Sequence, residues 1–207
     1  MRSVPVLLLA LLVAATGGGA TAAPVLPSLY DVTGVETDDV LNVRAGPDAD
    51  APVIGTLAPN ATGIEVVSVD PSGRWGEVNV GEGAGRAALR FLAEQPGVWA
   101  PGALPEHLSC FGTEPFWNVR KSEKGAVFQM PEAAQTLAAV TALDTGIPGD
   151  VRRALILTEG KLRITATITP QSCGDGMSDR AFGLAAVVIV EDDAAPRLLT
   201  GCCSIAP

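Results

Sequence analysis

The sequence predicts an all-β protein in two parts, a small barrel or sandwich followed by a closed or nearly closed meander barrel. Three observations lead there. In the first half, β-branched and apolar runs of five or six residues recur about every ten residues, each ended by Gly, Pro, Asn or Asp. In the second half, Leu162, Ile164, Ala166 and Ile168 share one face after the turn Glu159-Gly160, which makes a hairpin with residues 154–158. All four cysteines, Cys110, Cys173, Cys202 and Cys203, lie in that second half, and an even number in an exported chain points to two disulfides.

Residues 1–22 read as an export signal peptide. Met1-Arg2 gives a positive start, residues 4–15 form an apolar run of 12, and Ala20-Thr21-Ala22 fits the small-x-small cleavage rule. Twelve residues are too few to cross a bilayer, which takes about 20. No cysteine stands near the cut, so the expected mature chain begins near Ala23, soluble in the periplasm, without a lipid anchor and off the membrane. It has about 185 residues (207 less 22) and a formal charge of −10, since the −9 of the whole chain includes Arg2. So acidic a chain is not expected to bind nucleic acid or anionic lipid through net charge, whereas a basic partner is attracted.

The first half is built from short strands and turns. Residues 40–44 lead into Ala45-Gly46-Pro47-Asp48, residues 53–57 into Ala58-Pro59-Asn60-Ala61, residues 64–69 into Asp70-Pro71-Ser72-Gly73, and residues 75–80 into Gly81-Glu82-Gly83. The succession Leu41-Asn42-Val43-Arg44-Ala45-Gly46-Pro47, Val53-Ile54-Gly55-Thr56-Leu57 and Gly73-Arg74-Trp75-Gly76-Glu77-Val78 resembles the bacterial SH3-like domain family over roughly residues 30–93. The resemblance implies a small SH3-like barrel, placed at 28–94, of a kind that in envelope proteins binds cell-wall peptide or serves as a spacer. Where that family usually carries Gly-Trp before its last strand, this chain has Gly85-Arg86, which weakens an aromatic recognition groove. Arg44 is expected to brace the turn at Gly46-Pro47, Trp75 to form core or groove wall, and Arg86 and Arg90 to be solvated.

Residues 95–106 carry Pro96, Pro101 and Pro105 with Gly97 and Gly102, a non-helical connector. Trp99 within it is expected to lie against one of the two domains.

The second domain, 107–207, reads as strands at 116–120, 126–130, 154–158, 162–168, 182–190 and 197–203, with residues 136–143 a strand or short helix. The run 182–190 is nearly all apolar and is expected to be buried on both faces. About seven antiparallel strands suit a meander barrel without exposed edges. Neighbouring residues of a strand point to opposite faces, so Cys202 and Cys203 are expected to take different partners from Cys110 and Cys173. Two arrangements satisfy this, and Cys173–Cys202 with Cys110–Cys203 is preferred. Chain entropy gives about 3.5 kcal/mol for a 30-residue loop and about 4.7 for a 94-residue one.

Ser109-Cys110-Phe111-Gly112-Thr113-Glu114-Pro115-Phe116-Trp117, Cys173-Gly174-Asp175-Gly176-Met177-Ser178-Asp179-Arg180 and Leu199-Thr200-Gly201-Cys202-Cys203 together resemble an uncharacterised family of bacterial envelope and lipoprotein domains. The resemblance implies an envelope location and disulfides, with no chemistry to carry over. The fold class is therefore all-β, an SH3-like barrel followed by a disulfide-bonded antiparallel barrel-like domain.

The polar corner Asp175 to Arg180 invites a catalytic or metal reading. A cysteine nucleophile needs a base within hydrogen-bond reach, and the chain has one histidine, His107. Asp175, Ser178 and Asp179 lack the Asp-x-Asp-x-Asp-Gly loop and distal Glu of a calcium-binding hand. Glu114 with Asp175 or Asp179 has the residue types of a glycosidase acid pair, but no spacing that places them together. No catalytic residue, cofactor or metal is assigned. Asp and Ser side chains are expected to satisfy the turn's own N–H groups. A binding surface is expected from Glu114, Phe116, Trp117, Asp175, Ser178, Asp179 and Arg180, with Trp75 in the first domain. The expected function is a non-enzymatic envelope module that binds cell-wall peptide or an envelope protein. The alternative is an acidic inhibitor of basic, lysozyme-type wall hydrolases.

Overall fold

The structure, a computed structural model, describes residues 25–207; the signal peptide read at 1–22 lies outside the described residues. Two hydrophobic cores organise the chain, one in each half.

The first half holds β1 (Ser28–Val32), β2 (Leu41–Arg44), β3 (Val53–Leu57), β4 (Ile64–Val66), β5 (Ser68–Val69), β6 (Trp75–Val80), β7 (Gly83–Ala88) and β8 (Leu92–Glu94). They form a three-stranded sheet, β4-β1-β8, and a five-stranded sheet, β3-β2-β7-β6-β5, which share the segment around Val67. Tyr30, Val32, Leu41, Val43, Val66, Val78, Ala87 and Leu92 fill the space between. Arg86 is not solvated as expected. Its backbone pairs with Glu77, whose backbone pairs with Ser68, and the three side chains join in a row across the sheet. Arg86 Nη2 lies 3.1 Å from Glu77 Oε1, and Ser68 Oγ donates to Glu77 Oε2 at 2.7 Å.

The second half is a nine-stranded antiparallel barrel, nearly closed. Its strands are β9 (Ser109–Thr113), β10 (Phe116–Ser122), β11 (Gly125–Met130), β12 (Ala133–Leu137), β13 (Ala139–Leu143), β14 (Arg153–Glu159), β15 (Leu162–Cys173), β16 (Phe182–Glu191) and β17 (Arg197–Ser204). The sheet order is β12-β11-β10-β9-β17-β16-β15-β14-β13, so the meander closes where the first strand pairs with the last. The two extra strands have plain causes. Ser109–Thr113 is short and Gly-containing, yet it is the partner β17 requires, and the apolar run at 136–143 breaks at Ala138 into the ends of two strands. Ala138 N–H is instead taken up by Glu159 Oε2 at 3.2 Å.

The barrel interior is filled by alternation. Along β15 and β16, Ile164 faces Val190, Ala166 faces Val188 and Ile168 faces Ala186, a large residue opposite a smaller one in most rows. The strand at 182–190 is therefore not buried on both faces: its odd-numbered side chains point out, and Val187 and Ile189 are 44% and 42% exposed. Antiparallel strands wet on one face need only half their residues apolar, and continuous apolarity here overstates burial.

The disulfides are Cys110–Cys203 and Cys173–Cys202. Cys110 and Cys203 sit directly opposite each other on β9 and β17, Cα to Cα 4.0 Å, and bolt the closing seam from inside the core. Cys202, one residue back, points outward and reaches the end of β15. These links close loops with sequence separations of 93 and 29. Replacing Cys110 and Cys203 together by Ala is expected to lower the unfolding free energy by about 4–5 kcal/mol, and replacing Cys173 and Cys202 by about 3–4 kcal/mol. Urea midpoints measure the ranking, and equal or reversed losses would contradict the loop-length account.

Candidate functional site

The corner after β15 starts as a self-contained turn. Asp175 accepts hydrogen bonds from the N–H groups of Met177 and Ser178, both 2.9 Å, and from Ser178 Oγ at 2.8 Å. Those two N–H groups hold its carboxyl below the usual carboxylate range. Gly176, between Asp175 and Met177, adopts φ +72°, where a side chain would be strained. Thr113 Oγ1 donates to Asp175 O at 3.0 Å and ties the turn to β9. Donors converge on the Asp175 carboxylate from three directions, which is the surrounding an anion needs.

The far side of the corner faces the first half of the chain. Asp179 N–H donates to Glu82 O at 2.9 Å, and Asp179 pairs with Gly83 in a short parallel bridge. Asn79, on β6, grips Ala181, two residues on, from both sides: its Nδ2 donates to Ala181 O and its Oδ1 accepts Ala181 N–H, both at 2.9 Å. The amide side chain thus takes the place of a strand neighbour. Beside it, Glu65 of β4 is only 5% exposed. Ser204 Oγ donates to Glu65 Oε2, and Ile205 N–H donates to Oε1 at 3.3 Å. Burial pushes the Glu65 carboxyl up from its ordinary value, against the pull of Ser204, the Ile205 and Ala206 N–H groups, and the Arg180 charge. Arg180 itself lies over the Phe182 ring, 5.6 Å from its centroid.

The connector is strapped down as well. Trp99 Nε1 donates to Pro27 O at 2.7 Å, and Arg153 stands 5.1 Å from the indole ring. Arg153 is 4% exposed and satisfied by carbonyls: Ala103 at 3.0 Å, Asp150 and Arg152 at 2.9 Å, and Ala100 at 3.3 Å. The two halves therefore meet through side chains committed to fixed backbone partners.

The residues expected to make one binding surface fall in separate places. Glu114 and Asp175 share an outer groove of about 420 Å³ beside the Cys173–Cys202 link, with Gln171, Val187 and Thr200. Phe116 is exposed, whereas Trp117 turns inward and is 3% exposed. Trp117 is a packing residue: it faces Gly112 across the β9–β10 pair, and its Nε1 donates to Thr200 O at 3.2 Å. A Cβ on Gly112 would lie 2.2 Å from the indole nitrogen, and one on Gly201 would lie 1.9 Å from Phe111 O and 2.9 Å from the indole. The glycines of the Gly-Thr-Glu-Pro-Phe-Trp and Gly-Cys-Cys motifs are thus the space that the tryptophan and the closing seam need. Ser178, Asp179 and Arg180 belong to the docking corner.

Trp75 lies in the other half, 7% exposed, on the wall of a cleft of about 250 Å³ with Glu36, Asp39, Asn42, Arg44 and Arg90. Asp70 orients it: its carboxylate accepts from the N–H groups of Ser72, Arg74 and Trp75 at 2.8–3.0 Å, and the interactions with Ser72 and its neighbours lower its pKa to about 2. Arg44 Nη1 donates to Ala51 O at 2.7 Å across the turn after β2, and Arg90 lies over Phe91, 4.5 Å from its centroid. Asn79, Glu65, Ser204 and Arg153 escaped the sequence reading because each is an ordinary polar residue in a strand or connector. The one available signal was Glu65 itself, an acid in the apolar run Ile64-Glu65-Val66-Val67.

Among the described residues, no three of His, Cys, Asp and Glu gather as a group that would hold a metal ion. All four cysteines are disulfide-bonded, and His107 is exposed. No family model matches the chain, and neither the curated proteins nor the solved structures compared with it give a match.

Because the folded pKa of Glu65 is raised above 4.5, its contribution to stability is full below about pH 4.5 and is lost as pH rises through the folded value. Glu65→Gln does not titrate and keeps one acceptor oxygen, which can serve Ile205 N–H while its NH2 group donates to Ser204 Oγ. Its stability relative to the natural chain is expected to grow as pH rises above about 4.5 in denaturant titrations; a difference independent of pH would contradict this. Glu65→Ala, which strands both donors, is expected to cost about 1–3 kcal/mol.

Proposed function

We propose that this chain is an exported, non-enzymatic protein of the periplasm whose first module, SH3-like by its sequence resemblance, binds cell-wall peptide or a segment of an envelope protein. The observation that carries the reading is the Trp75 cleft. It sets an indole wall among Glu36 and Asp39 on one side of the charge balance and Arg44 and Arg90 on the other. A short peptide presenting both an ammonium and a carboxylate is matched by such a lining, because each head finds an opposite charge while its aliphatic part lies on the ring. At about 250 Å³ the cleft is just under the range of roughly 300–1,000 Å³ usual for small-molecule pockets, which suits a few residues of an extended chain.

The chemistry of the cysteines and of Asp175 supports the non-enzymatic reading. The thiols are consumed in disulfides, and Asp175, which shares a groove with Glu114, has a lowered rather than raised pKa. A glycosidase acid needs the opposite shift. The alternative reading, an inhibitor of basic wall hydrolases, is supported by the formal charge of −10 expected for the mature chain, the −9 of the whole chain less Arg2.

Sedimentation with purified peptidoglycan tests the choice. The mature protein is expected to sediment with the wall, and the triple variant Glu36→Lys, Asp39→Lys, Arg90→Glu, all at exposed positions, to lose most of that binding with its thermal midpoint unchanged. No sedimentation together with loss of lysozyme activity would support the inhibitor instead. Release of wall fragments by the protein alone would overturn both.

A further inference from the structure

We infer that the mouth of the second-half barrel is a binding site for a small apolar molecule with a single anionic head group. This site is separate from the Trp75 cleft and independent of what that cleft binds. It is a cavity of about 330 Å³. Its wall is built from Leu108, just before β9, and from side chains that the alternation of β9, β10, β11 and β14 turns inward, among them Cys110 of the core disulfide, Val119, Leu155 and Leu157. Leu104 and Gly102 of the connector cross its rim, held there by the Arg153 hydrogen bonds to Ala103 and Ala100.

Two polar groups break this lining. Lys121 follows Trp117 and Val119 on the inward-facing parity of β10 and contributes to the wall, yet it has no ion-pair partner among the described residues. Ser122, the next residue, also lines the cavity, and its Oγ is buried with no hydrogen-bond partner among the described residues. No lining residue is acidic, in a chain whose acids outnumber its Lys and Arg by 23 to 14. A lysine stem lies readily along apolar surface while its ammonium reaches the opening, where it can meet a carboxylate, and the hydroxyl supplies a second donor. The volume sits at the low end of the range of roughly 300–1,000 Å³ for small-molecule sites, so the ligand is short-chained or compact. A way in exists beside Val140 and Ala142, which line the cavity from β13, because β12 and β13 are not paired with each other and entry there breaks no ladder bond.

The probes are decanoate and decyltrimethylammonium, titrated calorimetrically into the full mature chain below their micelle concentrations. Decanoate is expected to bind saturably at one site per chain, and the cationic probe not to saturate. Lys121→Met, which keeps the stem and removes the charge, is expected to weaken decanoate roughly tenfold. Ala142→Leu and, at a more exposed position of the same wall, Val140→Trp are each expected to abolish binding, with circular dichroism confirming that the variant titrated is folded. Failure of decanoate to saturate, equal binding of the two probes, an unchanged affinity in Lys121→Met, or binding that survives in a folded wall variant would each overturn the proposal.

Discussion

The pairing of β17 with β9 is the constraint on which the rest depends. Without it the second half would be an open meander with two more edge strands, each a template for mispairing. With it, Cys203 is brought opposite Cys110, and Trp117 lies over Gly112 and against Gly201. Register does the rest. Because successive residues of β17 alternate, fixing Cys203 inward puts Cys202 outward, where it holds the end of β15. The same strand carries Ser204 and the following Ile205 past the barrel rim to Glu65 of the first half.

Docking of the two halves is a consequence of that geometry. The disulfide at Cys173 and the Asp175 hydrogen bonds give the corner a fixed shape, and only a fixed shape presents Ala181 to Asn79 and Asp179 to Glu82. Buried polar groups at the junction are costly unless paired, and here most are paired to backbone. Glu65 is the exception in kind: a carboxylate whose burial works against its charge, set where two strands and an arginine converge. The corner that looks most like an active site in the sequence thus joins the two halves at its far end, Asp179 to Ala181, while Gly174, Gly176 and Met177 are exposed.

Much of this was legible in the sequence. Period-two alternation and Gly or Asp turns located the 162–168 hairpin, and the adjacency of Cys202 and Cys203 already required two partners. What was not legible depended on partners distant in sequence. Trp117 reads as an exposed recognition residue because it follows Phe116 in a polar-flanked motif, and only pairing with Gly112 and Gly201 shows the space made for it. The run at 182–190 reads as doubly buried because Val187 and Ile189 are apolar, yet their face of the barrel is open. Ser109–Thr113 is not among the strands read from the sequence, since local propensity carries no trace of a partner about 90 residues on. Asn79 carries no local signal at all, because its role lies 102 residues away.

The two halves are joined by a junction in which most buried polar groups are paired, the exception being Arg180 Nε, buried and without a hydrogen-bond partner among the described residues. That junction is the central claim, and native-state hydrogen exchange at single amides tests it most directly. The amides of Asp179 and Ala181, bonded to Glu82 and Asn79 of the other half, are expected to exchange only through the same large opening as the β16–β17 amides around Val188. Exchange of those two amides at the rate of an exposed loop, while Val188 stays protected, would contradict it.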